Sequence, residues 1–259
     1  MKKIFLPLLM MIFLLTGCGV NEADEIKSKK TYVIGIDDEY APMGFRDDKG
    51  EIIGFDVDLA KETAKRMNVE FEFRPIIWDK KEAELNSGRI DIIWNGLDIT
   101  PERQTHILYS KPYFDNRQIL LVKKNRGLNI HSLNDLKGKI VATQAGSNSE
   151  NYVERDDAMR NSFANFITYP TFSYAYKALF EERIDVLIVD EFAGRYEVAR
   201  HDELELIDIT IGDKTEIGIG FRLGNVELRD EVQKAFDEII ADGTAGKISE
   251  KWFHANLIK

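Results

Sequence analysis

Arg89–Asn95 reads Arg-Ile-Asp-Ile-Ile-Trp-Asn, and Arg183–Asp190 reads Arg-Ile-Asp-Val-Leu-Ile-Val-Asp. Each phrase follows a stretch of helical apolar spacing, opens on Arg-Ile-Asp, runs on as unbroken apolar sequence and ends on a polar residue. Apolarity without alternation predicts a strand buried on both faces, as in a parallel sheet covered by helices. Two such units predict two lobes built from similar βα repeats, an α/β architecture; a chance likeness of short phrases is the competing explanation. In open α/β sheets, ligands gather beyond the carboxyl ends of the strands. Asn95 and Asp190 are therefore candidates for opposite walls of one cleft.

The alternation extends outward from these two phrases. Tyr32–Ile36 reads as a strand followed by a polar turn, Asp37–Pro42. Gly54–Met67 carries Leu59, Ala60, Thr63, Ala64 and Met67 at helical spacing, with Asp56 and Asp58 in its first turn, where they favour the positive end of the helix dipole. Val69–Phe73 alternates as a strand and Asp79–Asn86 is helical. Further strands are predicted near residues 118–123, 139–143, 166–169 and 184–189, and helices near 148–158, 172–182 and 191–200. The chain closes with two helices, Val226–Ala241 and Thr244–Phe253, divided by Asp242-Gly243.

The N-terminus has a different character. Lys2-Lys3, an apolar run from Ile4 to Leu15 and small residues after it mark residues 1–17 as a secretory signal, too short to span a bilayer comfortably. Leu15-Thr16-Gly17-Cys18 resembles the bacterial lipobox, in which the cysteine is acylated, commonly with palmitate, and becomes the new N-terminus. An ordinary secreted protein with a cysteine near its cleavage site is the alternative, although Cys18 is the sole cysteine and no disulfide is available to it. Residues 18–30 read as a flexible tether to a lipid anchor on the extracytoplasmic face of the cell membrane. Globular sequence follows for 229 residues.

The formal charge is −10, with no Lys/Arg stripe, which gives no support to nucleic-acid binding. The histidines, His106, His131, His201 and His254, show no spacing that forms a metal set. No Gly-x-Ser-x-Gly, HExxH or P-loop occurs, so neither a cofactor, a metal nor catalysis is expected.

Three segments concentrate ligand chemistry: Asp37–Pro42, Asn95–Arg103 and Gln144–Ser149. Glycine-punctuated turns entering a helix expose N–H groups that suit a carboxylate or phosphate. Arg103 offers a bidentate fork to a carboxylate, and Asp190 a partner for an ammonium. Tyr40, Trp78 and Trp94 supply aromatic walls. Together these fit a free α-amino acid. Each has a plainer reading: Arg103 as a surface cation, Asp190 as a helix N-cap, Tyr40 and Trp78 as ordinary wall residues, Trp94 as core.

The chain resembles the amino-acid-binding family of solute-binding proteins that serve ABC importers, from Thr31 to Trp252. The likeness rests on IGIDDEYAPM (34–43), GEIIGFDVDLAKETAKRM (50–67), RIDIIWNGLDITPERQ (89–104), YSKPYF (109–114), DLKGKIVATQAGSNSE (135–150), RIDVLIVDE (183–191), EIGIGFR (216–222) and DGTAGKISEKWF (242–253). It implies a two-lobe periplasmic-binding-protein-like fold of type II, lobe 1 from residues 31–117 and 219–259 and lobe 2 from 118–218. The lobes would be joined by crossing strands near Gln118–Lys123 and Glu216–Arg222, with the C-terminal helices returning to lobe 1. It further implies that Arg103 holds the ligand α-carboxylate, helped by N–H groups around Gly96, Ser147 and Asn148, and that Asp190 holds the α-ammonium. Tyr40 and Trp78 would sandwich the ligand and Asp37 would meet a polar side-chain end, with Asn95 and Gln144 completing the site. Asp98 departs from the family, which usually has Ser or Thr there; an ionised Asp98 must turn away from the carboxylate, contact the ammonium or be protonated. The implied function is delivery of a free amino acid, polar or cationic by preference, to an ABC permease through hinge closure, by a lipid-anchored monomer. A secreted enzyme on the same fold, such as a dehydratase of prephenate-like compounds or a lytic transglycosylase, and a sensory module read by a receptor are the alternatives.

Overall fold

The computed structural model describes residues 31–259, so the signal expected over residues 1–17, Cys18 and the tether expected over 18–30 lie outside the described residues. Two sheets organise the chain. In the first, Thr31–Ile36 lies between Glu70–Pro75 and Ile92–Ile93, parallel to both; Gly220–Arg222 then pairs antiparallel with Ile92–Ile93, and Ile107–Tyr109 forms the edge. In the second, Ile140–Gln144 lies between Asn165–Tyr169 and Val186–Asp190, parallel to both; Phe114–Lys123 pairs antiparallel with the latter. Leu204–Ile217 and the short strand Asp98–Ile99 complete that sheet. Both sheets thus run second strand, first strand, third strand, antiparallel strand. The repeated phrase occupies the same place in each, with Ile90 and Ile184 buried where the third strand begins.

The helices follow their apolar faces. Phe55–Met67 buries Leu59, Ala60, Thr63 and Ala64 and ends at Asn68 in the left-handed conformation, which asparagine tolerates better than most residues. The C-terminal helices pack against it and against the first sheet: Trp94 and Tyr113 meet Phe236 edge-on at 5.5 Å, and Phe55 meets Phe253 at 4.9 Å. Full burial of each such ring contributes about 1.5–3 kcal/mol. Trp94 is wholly buried in this packing, which makes it core and not a cleft wall.

Three boundaries differ from expectation. The helix predicted near 148–158 is two helices, Asn148–Arg155 and Asp157–Ser162, because Asp156 leaves helical geometry and its carboxylate takes the Met159 N–H at 2.9 Å. The strand expected at Gln118–Lys123 begins earlier, at Phe114, inside the second sheet. The return strand expected over Glu216–Arg222 is split: Glu216 and Ile217 end one sheet's strand, and Gly220–Arg222 belongs to the other. Apart from the brief excursion of Asp98–Ile99 to the second sheet, the chain changes sheets between Tyr109 and Phe114 and again between Ile217 and Gly220. These two passages run side by side, with Ser110 N donating to Ile219 O and Tyr113 N to Ile217 O, both at 2.9 Å.

Candidate functional site

Strand tips from both sheets converge on one cleft. Asp37 follows the first strand, and its N–H donates to Asn95 Oδ1 at 2.9 Å, tying the tip of the first strand to that of the third. Gln144 Nε2 reaches Asp37 Oδ2 from the other sheet at 2.5 Å. Burial pushes the Asp37 carboxyl up to about 6, against the pull of Gln144 and the Glu39 N–H. Gly96, at φ 60°, donates its N–H to Asp56 Oδ2 at 2.7 Å, while Tyr113 Oη donates to Asp56 Oδ1 at 2.7 Å. Asp56 is thus more than a residue suited to the helix dipole: it braces the Asn95–Leu97 loop from behind. Its position three and four residues before Leu59 and Ala60, on the buried face of the helix, was the available signal.

A narrow pocket, with free space of only about 10 Å³, is lined by Tyr40, Trp78, Gly96, Asp98, Arg103, Gln144, Ser147, Asn148, Phe172 and Asp190. Of the residues expected here, Asp37 and Asn95 stand just behind the lining, joined to it through Gln144 and Gly96. Phe172 was not expected; it stacks on Tyr40 at 5.4 Å and 18° from across the cleft.

Asp190 makes no side-chain cap to the helix it precedes. Its Oδ2 accepts from Tyr40 Oη, and its Oδ1 accepts from Asn116 Nδ2 at 2.5 Å and Gln118 Nε2 at 2.7 Å. Asn116 Nδ2 also donates to Asp98 Oδ1 at 2.9 Å, so one amide bridges two carboxylates. Thr215 Oγ1 donates to the same Asp98 oxygen. Burial first, then the Asp190 charge, hold Asp98 above the ordinary carboxylate range, with Arg103 opposing. Asp98 remains in the cavity wall, turned toward Asn116 and Thr215. Asn116 and Gln118 were missed in the sequence; they are polar residues two apart in a strand, hence on one face.

Arg103 is 3% exposed, which excludes a surface cation. It donates through Nη1 to Asp98 O at 3.3 Å and through Nη2 across the cleft to Gly146 O at 3.0 Å. Gly146, at φ 72°, comes so close to the other half that a Cβ there would lie 2.6 Å from Asp79 Cα. Its N–H donates to Glu150 Oε2 at 2.6 Å, and Ser147 Oγ accepts from Glu150 N at 3.1 Å, fixing the start of the Asn148–Arg155 helix against the cleft. Glu102 pairs with Arg155, and Thr171 Oγ1 donates to Glu39 Oε2 at 2.9 Å, closing the rim. The arrangement brings a guanidinium and two carboxylates into one aromatic-lined pocket, with Arg103 Nη1 4.0 Å from Asp98 Oδ2. Among the described residues no His/Cys/Asp/Glu group is arranged to hold a metal, and no helix is long and apolar enough to cross a membrane.

Comparison with known proteins shows the family. The model of bacterial extracellular solute-binding proteins, family 3, matches residues 32–255. The L-cystine-binding protein TcyJ of Escherichia coli K12 is 33% identical over 256 residues, covering 96% of this chain and 95% of that one. A substrate-binding protein of an ABC uptake transporter from Streptococcus pneumoniae, solved with bound histidine, superimposes with a TM-score of 0.86 at 32% identity, covering 92% of this chain and 98% of that one. The ancestral amino acid-binding protein AncCDT-1, a precursor of cyclohexadienyl dehydratase, gives a TM-score of 0.82 at 33% identity, covering 90% and 100%.

Proposed function

The chain belongs to the bacterial extracellular solute-binding proteins of family 3, and from that membership we propose that it binds a free amino acid in the cleft and delivers it to an ABC permease. The observation that carries this reading is the burial of Arg103 and Asp190 in one cavity, each rooted in a different half of the chain. Arg103 takes the α-carboxylate, with the Asn148 N–H beside it; the Gly96 and Ser147 N–H groups expected to help are taken by Asp56 Oδ2 and Gln144 O. Asp190 takes the α-ammonium. Asp98 adds a second carboxylate on the ammonium side, while Tyr40, Trp78 and Phe172 cover the apolar stem. Asp37, reached through Gln144, favours a polar or cationic far end.

The two halves are lobe 1, up to the passage at residues 110–113 and again from the passage at 218–219, and lobe 2 between them. The first boundary thus falls a few residues earlier than the 117/118 expected from the resemblance. They close by bending at the paired passages near Ser110 and Ile219. A ligand shifts that equilibrium only by its differential affinity for the closed form, which here is the form in which both charges reach it. A micromolar dissociation constant corresponds to about −8 kcal/mol, within reach of two desolvated charge pairs and aromatic burial. Cys18 carries the lipid anchor that holds this monomer on the outer face of the cell membrane.

A thermal-shift screen of the protein against the free amino acids and cystine tests the reading. A true ligand raises the melting temperature by linkage. No response to any of them, with turnover of a prephenate-like cyclic acid, replaces it by the enzymatic reading that the likeness to AncCDT-1 keeps in view.

A further inference from the structure

Lys81 begins a short helix at the rim of the cleft, yet it is only 4% exposed. Its ammonium donates across the cleft to Gly146 O at 2.8 Å. It also donates to Trp78 O at 3.4 Å and lies 5.0 Å from the centroid of the Trp78 ring. Among the described residues, Lys81 Nζ thus takes carbonyl oxygens and an aromatic face, with no carboxylate as direct partner. Arg103 Nη2 donates to the same Gly146 oxygen. Two cations from one half converge on one carbonyl of the other.

Burying two neighbouring cations opposes closure, because each loses water and repels the other. Asp98 Oδ2, 4.0 Å from Arg103 Nη1, offsets this for Arg103 but is no direct partner of Lys81. Glu82, Asp79 and Glu150 attract Lys81 from a distance, but burial and Arg103 outweigh them and push its ammonium down to about 7. A carboxylate brought up to Arg103 relieves both cations at once.

Building on the amino-acid reading, we propose that Lys81 is a positioning residue, acting through Arg103 and the Gly146 carbonyl, that makes closure conditional on a ligand with a free carboxylate. Amino acids are admitted, whereas their carboxamides and decarboxylated amines are turned away.

The test measures affinities of L-arginine, L-histidine and L-cystine beside their α-carboxamides, by calorimetry on wild type, Lys81→Met, Lys81→Gln and Lys81→Arg. Wild type prefers acid over amide. Lys81→Met lowers that preference roughly tenfold, the size expected of one charge a few ångströms away in a partly screened site. Lys81→Gln lowers it similarly, since it keeps a donor for Gly146 and loses the charge, and Lys81→Arg restores it. Equal weakening of acid and amide, with the ratio unchanged in both neutral variants, means a purely structural role and overturns the proposal. If wild type binds none of the three acids nor responds in the wider screen, the amino-acid reading itself falls, and this inference with it.

Discussion

Asp91 and Asp185 perform the same task in different sheets. Each Oδ2 accepts the N–H of a residue in the first strand of its sheet, Val33 and Ile140 respectively, at 2.8 Å. Each also donates its own N–H to the carbonyl of that same residue at 2.8 Å. The aspartate of the repeated Arg-Ile-Asp phrase therefore locks the third strand beside the first at the point where both begin.

Removing that lock strands a backbone N–H. Asp91→Ala and Asp185→Ala are each expected to lower unfolding free energy by about 1–3 kcal/mol, with ligand affinity within about twofold of wild type. Urea denaturation checks the first and calorimetry the second; unchanged midpoints in both variants would show that the phrase is decorative.

Arg103→Ala and Asp190→Ala are expected to weaken amino-acid binding by roughly two to three decades, since each leaves a buried ligand charge unpaired. Titration calorimetry decides the matter, and wild-type affinity in either variant removes that residue from the site.

Gly146→Ala places a Cβ 2.6 Å from Asp79 Cα at a backbone φ of 72°. Backbone strain of about 1–3 kcal/mol burdens both forms, and the Cβ contact with Asp79 adds a cost borne by the closed form alone. Affinity is expected to drop roughly tenfold or more, with scattering in the presence of ligand reporting a more extended particle. A variant as compact and as tight as wild type contradicts this.

Asp56 gives stability a pH dependence of definite sign. Burial raises its carboxyl from 3.8 to about 7, so between those values the native state holds a proton that the unfolded chain lacks. Stability from this group is therefore fully present at low pH and is lost as pH rises through about 7. Asp56→Asn is expected to flatten the stability profile between about pH 4 and 7, read from denaturant midpoints. An unaltered slope contradicts the assignment.

Cys18→Ser is expected to move the protein from the membrane fraction to the medium or periplasm. Continued membrane retention of the variant counts against acylation at that position.

Much of this was legible because strand tips are local features: an apolar run, a polar residue at its end, a glycine turn into a helix. That logic led to Asp37, Asn95, Arg103, Gln144 and Asp190. What it missed depends on how the halves meet. Asn116 and Gln118 lie on a strand that begins earlier than its apolar run suggested, and their amides matter because Asp98 and Asp190 come together there. Lys81 carries no local signal in the helical stretch Asp79–Asn86; it meets Gly146 from far along the chain. Phe172 likewise becomes a wall only because Tyr40 stacks upon it.

The paired passages at Ser110 and Ile219 carry one more consequence. Everything between them enters and leaves through a single doorway, whose two jambs are hydrogen-bonded to each other at 2.9 Å. The inner segment is thus a cassette, transplantable between relatives with two adjacent splices, provided the graft keeps an edge for Asp98–Ile99 to pair with. Such chimaeras, half recipient and half donor, would reveal which jaw dictates the choice of cargo.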